Sequence, residues 1–159
     1  MPTQLILRPM QDDPELVRGD NGRAHWRARS FDPAFIASIP PQEPPLRPGW
    51  YMARANMVQR SGQIAGPRLY IPFVGGGYSE HRSVTLIPEG GAYEAEFVIS
   101  SATDHLRFDP SIYPCEFDCD GIELVPITGR RRWVRSGGSF LQALGRLKAR
   151  QLEIGRAHV

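Results

Sequence analysis

Short runs of alternating apolar and polar residues, separated by glycine- and proline-bearing turns, fill the middle of the chain. Pro67–Val74 puts Leu69, Ile71 and Phe73 on one face, and His81–Pro88 does the same with Val84 and Leu86. Tyr93–Ser100 aligns Tyr93, Ala95, Phe97 and Ile99, and the stretch after Asp104 turns Leu106 and Phe108 inward. A period of two over such lengths is the mark of half-buried strands. Pro72, lacking an N–H to donate, confines its strand to an edge or a bulge. Gln4–Pro9 reads as a first short strand and Gly49–Gln59 as a longer one.

Other segments read differently. Gln11–Gly22 is turn-rich, with Asp12, Asp13 and Asp20 placed to cap their own backbone. A strand is expected around Trp26, followed by a helical turn that starts at Asp32 with Pro33 in its first position. Pro40–Gly49 holds five prolines and reads as an extended connector. Beyond Ile127 lie a basic linker and then a helix over Ser139–Leu152, whose apolar stripe is Phe140, Leu141, Leu144 and Leu147.

The predicted architecture is therefore all-β: an antiparallel, jelly-roll-like β-sandwich followed by a basic linker and a truncated C-terminal helix. Residues 1–48 form an N-terminal strand and proline-rich lead-in packing on the sandwich, 49–127 the sandwich core, 128–152 the basic linker and helix start. The chain has 159 residues, enough for one packed core, and its 16 glycines and 15 prolines suit a fold of many turns. No apolar run is long enough to span a bilayer, and the first fifteen residues lack the pattern of a signal peptide, so a cytoplasmic location is expected.

Charge is divided unevenly. Up to Ile127 there are eleven arginines against sixteen acidic residues; beyond it, seven arginines and one lysine face Glu153 alone. An acidic body does not suit a phosphate backbone, so no nucleic-acid partner is expected. Arg130, Arg131 and Arg132 could meet an anionic membrane surface, although arginines in a linker are more often simply solvated.

Candidate chemistry concentrates in Arg107–Ile127, which holds both cysteines and the string Asp118-Cys119-Asp120-Gly121. Cys115 and Cys119 stand four apart on a predicted strand, roughly 13 Å when extended, so they read as small buried hydrophobes rather than a disulfide. Two cysteines also fall short of a zinc site. Asp118 and Asp120 are the candidate oxygen ligands for a calcium ion, the one cofactor entertained, but the rest of a calcium loop is missing. As a transferase D-x-D motif the pair would need an α/β sheet before it, which the pattern does not supply. Alternation instead turns Phe117 and Cys119 inward and Asp118 and Asp120 outward, with Gly121 shifting the register before Ile122 and Leu124. Val74–Tyr78 lacks the Lys-Ser/Thr of a phosphate loop and reads as a hairpin loop. His25, His81 and His105 have no partner in a local catalytic signature and read as surface residues. Most of Trp26, Trp50, Tyr51, Tyr70, Tyr78 and Tyr93 are expected in the core; Trp50, Tyr78 and Glu80 are the candidate ligand-binding residues.

Gly49–Ile127 resembles the N-terminal β-sandwich module of bacterial multidomain glycosyltransferases that build surface polysaccharides. The residues carrying the likeness are Gly49, Trp50 and Tyr51; Leu69 and Tyr70; Gly77, Tyr78, Ser79 and Glu80; and Leu106 to Pro110 with Pro114 and Phe117. Phe31–Phe35 is similar to a segment the family places upstream, whereas Cys115 stands where the family usually has glycine. The resemblance implies a carbohydrate-binding-like accessory domain, with a glycan or the parent's catalytic domain as partner and no catalytic residue in this segment. The alternative is a structural interaction module attached to a different enzyme. The closing string Glu153–Val159 resembles a translated sequencing adapter, which implies a natural chain continuing beyond Leu152.

Overall fold

The computed structural model describes residues 2–18 and 22–128. Two compact units divide the chain, Met1–Pro126 and Ile127–Val159. Residues 129–159 lie outside the described residues, and with them fall the Arg130–Arg132 cluster, the expected helix and the closing seven residues.

Thirteen strands are described: β1 (Thr3–Pro9), β2 (Glu15–Arg18), β3 (Ala24–Ala28), β4 (Phe35–Ser38), β5 (Gly49–Ala55), β6 (Val58–Gly62), β7 (Arg68–Tyr70), β8 (Ser83–Thr85), β9 (Ile87–Glu89), β10 (Ala92–Ile99), β11 (His105–Asp109), β12 (Cys115–Asp118) and β13 (Ile122–Pro126). Every pairing is antiparallel. The fold is the all-β sandwich expected.

Nine strands form one sheet in the order β8-β7-β11-β4-β1-β13-β5-β10-β9. Its first and last strands are joined by Leu86 alone, so the sheet has to curl back until its ends meet. The turning point is β1, whose Thr3–Leu5 pairs with β13 while Ile6–Pro9 pairs with β4. Four strands, β2-β3-β12-β6, form the second sheet. The passes β5–β6 and β12–β13 run through both sheets and are neighbours in each.

Inward-facing residues merge into one core. Phe35 lies at its middle, 4.8 Å and edge-on from Trp26, and also against Phe117 and Phe108. Burying a ring of this size contributes about 1.5–3 kcal/mol relative to exposure. The indole N–H of Trp26 is not left unpaired, donating to the carbonyl of Cys119 at 3.1 Å.

Three local expectations are corrected. The helical turn at Asp32 does not form: Phe35–Ser38 is a strand hydrogen-bonded on both sides, and pairing with β1 and β11 overrides the local Asp-Pro signal. The turn-rich segment after Gln11 contains β2. Phe73 leaves the core face and is 40 % exposed, because β7 stops at Tyr70, ahead of Pro72. The sheets also draw on the whole of residues 3–126. Residues 3–38 supply β1 and β4 to the interior of the larger sheet, where the expectation confined the core to 49–127.

Candidate functional site

On β11, Leu106 and Phe108 face the core, so Arg107 leaves the opposite side of the sheet. On β7, Leu69 is buried and Tyr70 emerges beside Arg107, its registered partner. Beyond β7 the chain loops through Gly75, Gly76 and Gly77, all with positive φ (93°, 103° and 89°), a run few other residues could adopt. This turn delivers Tyr78 back to the same face. Its ring lies edge-on to Tyr70 at 6.5 Å and to His105 at 6.4 Å.

Arg107 completes the arrangement. Its guanidinium carbon stands 5.0 Å from the Tyr70 ring centroid and 5.7 Å from that of Tyr78, within cation–π range. The same group donates through Nε and Nη2 to the two oxygens of Asp109 at 2.8 and 2.9 Å. Burial pushes the Asp109 carboxyl above its ordinary range, against the pull of the Arg107 hydrogen bond. Burial also raises both tyrosine hydroxyls, so they stay neutral and can donate and accept hydrogen bonds around neutral pH.

A polar rim adjoins the rings. Glu80 opens the 3-10 turn Glu80–Arg82, capped by Ser79, and accepts from Arg68 Nη1 at 3.2 Å. Arg68 also donates to the hydroxyls of Ser83 and Thr85. The face thus joins half-buried rings to hydroxyls, carboxylates and guanidinium groups, the mixture that binds a ligand with apolar faces and hydroxyl edges.

Of the three ligand-binding candidates, Tyr78 lies within this cluster and Glu80 at its rim. Trp50 does not join them. It precedes the inward-facing Tyr51 on β5, is paired in register with Val98 of β10, and leaves the outer face of the other half of the large sheet. Arg107 and Asp109 were missed as site residues, although alternation around buried Leu106 and Phe108 already puts Arg107 outward.

Asp118 and Asp120 do not converge. Asp118 points away from the core as expected yet is buried, accepting from Arg60 Nε at 2.8 Å and from His25 Nδ1 at 2.7 Å. Asp120 accepts instead from the backbone N–H of Ala24 at 2.9 Å and from Arg23 at 3.4 Å. Each carboxylate serves a different cationic partner, and among the described residues no group of three or more His, Cys, Asp and Glu is arranged to hold a metal ion. His25 is correspondingly no simple surface residue: its second nitrogen, Nε2, lies 3.0 Å from Glu116, which also accepts from Arg27 at 2.7 Å. Cys115 and Cys119 are buried free thiols, and burial pushes both up to about 11. Among the described residues no helix is long and apolar enough to cross a membrane.

No protein-family model and no curated protein sequence matches the chain. Solved structures share its fold. A low-affinity xylan-binding module, CBM86, from Roseburia intestinalis superposes with a TM-score of 0.54 at 10 % identity, over 77 % of this chain and 91 % of that one. A CBM35 module solved with a glucuronic-acid-containing disaccharide gives 0.51 at 12 % identity, over 79 % and 89 %. The module described as BiXyn10A CBM1 gives 0.51 at 9 %, over 76 % and 89 %. At these identities the likeness is one of fold: a jelly-roll-like β-sandwich of the kind found in carbohydrate-binding modules.

Proposed function

We propose that this chain carries a glycan-binding β-sandwich module and that the Tyr70–Tyr78–Arg107 face is its binding surface. The observation that carries the reading is the pair of half-buried tyrosine rings bracketing one guanidinium. Pyranose rings present C–H faces that pack on aromatic carbon and hydroxyl edges that pair with arginine and carboxylate. The fold shared with carbohydrate-binding modules supports the same reading. The likeness of Gly49–Ile127 to an accessory module of surface-polysaccharide glycosyltransferases supports a further step, in which the module holds a glycan for a catalytic domain of that class.

The full chain titrated with neutral and acidic bacterial polysaccharides, and with xylan, tests the reading by calorimetry. Binding by at least one of them, weakened tenfold or more in Tyr78→Ala at unchanged melting temperature, is the expected result; tenfold corresponds to about 1.4 kcal/mol. Silence across the panel would leave a structural interaction module instead.

A further inference from the structure

The most exposed aromatic ring among the described residues is not on this face. Phe31 is 68 % exposed, in the loop between β3 and β4. Its ring meets that of Tyr113, in the loop between β11 and β12, edge-on at 6.2 Å. Tyr113 is 39 % exposed and its neighbour Ile112 48 %. Three large apolar side chains displayed together at the mouth of a few loops point to something that covers them.

The loops are held rather than loose. The N–H of Asp32 donates to the carbonyl of Ile112 at 3.2 Å, tying the two together. Ser111, itself buried, donates to the carbonyl of Gln63 and accepts from the N–H groups of Ala65 and Tyr113. Asp13 accepts from the N–H groups of Arg29 and Ser30 at 2.9 and 3.0 Å, fixing the approach to Phe31. Asp32 sits at φ 52°, a backbone state that costs an L-residue on the order of 1 kcal/mol and persists only where the surroundings impose it. Rings displayed on a fixed backbone lose little entropy when a ligand stacks on them.

The two aromatic sets are also continuous. Asp109 is bidentate with Arg107 on the sheet face, and the loop that leaves β11 just beyond it carries Ile112, whose carbonyl accepts from the N–H of Asp32. Arg68, paired in register with Asp109, flanks the same stretch. Five residues lie between Arg107 and Tyr113, so their Cα atoms stand at most roughly 22 Å apart. Two separate stacking positions take two sugar rings, so a ligand that fills both is an oligosaccharide.

We infer that Phe31 and Tyr113 form an outer subsite of the Tyr70–Tyr78–Arg107 face, so that the module binds along a run of several sugar residues. The inference rests on the glycan-binding reading and adds the length of the ligand to it. Asp109 and Arg68 supply hydrogen-bonding groups between the two stacking positions.

The test uses the full chain and size-fractionated oligosaccharides, from two to eight sugars, prepared from xylan and from every polysaccharide in the panel above. Affinity is expected to rise at least tenfold between the shortest and longest members of the bound series. Phe31→Ala and Tyr113→Ala should each reduce the affinity for the longest member towards that for the shortest, and Phe31→Trp should keep the gain. Both side chains are exposed, so melting should be unaltered. A flat length dependence, or a length gain that survives both alanine variants, overturns the subsite while Tyr78→Ala separately reports on the face. Loss of a dimer on sedimentation of Phe31→Ala overturns it too, since the patch would then be a self-contact. If no series binds, the reading and the inference fall together.

Discussion

Arg107 and Asp109 sit two positions apart on β11, and the guanidinium of the first donates to both oxygens of the second. Two positions along a strand return to the same face, so the pair lies flat on the sheet, with Tyr70 and Tyr78 against the arginine. The Asp109 side chain is 12 % exposed and that of Arg107 27 %, which places the pair between a solvated and a fully buried one.

Asp109→Asn keeps the shape but removes the charge that both donors use. Burial raises the Asp109 carboxyl despite the Arg107 bonds, so its charge costs the fold about as much as the bonds return. The stability read from the urea midpoint should therefore move by less than about 1.5 kcal/mol at an unchanged slope. The freed guanidinium should also drift from the rings, so glycan affinity should fall in parallel. A loss above about 3 kcal/mol would show that the pair stabilises the fold on balance despite its burial.

This pair also marks the limit of what was legible. The string Leu106–Pro110 stands out in the sequence, and its alternation correctly buries Leu106 and Phe108. The same alternation commits the residues between, Arg107 above all, to the other face. The strands rich in alternation, such as β10 and β13, were readable because burial on one side imposes the period on the sequence itself. β4 was not readable: four residues pinned between β1 and β11 take their conformation from distant partners, and the Asp-Pro beside them signals something else. The meeting of Tyr70, Tyr78 and His105 joins residues up to 35 positions apart, a distance that no local pattern encodes.

Gly121 gives a sharper case. It belongs to the metal-like string Asp118–Gly121, and the register shift expected there lies instead between Glu116 and Phe117, where β12 pairs with β6. Its φ is 147°, and a Cβ built there would stand 2.3 Å from the carbonyl oxygen of Leu5 on β1. The glycine is there because the backbone of β1 passes where a side chain would be. Gly121→Ala should therefore cost about 1–3 kcal/mol through overpacking alone, with backbone strain added. Thermal unfolding decides the matter, and a melting temperature equal to that of the parent would contradict the close approach.

The two thiols should be inert in the folded protein. Burial holds Cys115 and Cys119 at about 11, so the thiolate that attacks electrophiles is scarce at pH 8. Iodoacetamide should leave both unmodified in native buffer over an hour and alkylate both in guanidinium. Mass spectrometry reads the outcome, and rapid single labelling of the native protein would show that one thiol is reachable.

His25 supplies a pH dependence. Hydrogen bonds to Asp118 and then to Glu116 raise its pKa above the ordinary 6.5, because a ring with carboxylates at both nitrogens needs both protons. A raised histidine contributes stability that is complete below 6.5 and lost as pH rises through the elevated value. Its carboxylate partners act in the opposite sense. Glu116 is lowered first by His25 and Asp118 first by Arg60, so their contributions hold above the ordinary 4.5 and 3.8 and fade on acidification. The melting difference between the parent and His25→Gln should be largest near pH 5.5, where all three groups are charged, and shrink towards pH 9. The imidazole protons followed by NMR should titrate with a midpoint above 6.5. A midpoint at or below that value, or a constant melting difference across the range, would show that the carboxylates do not hold the ring.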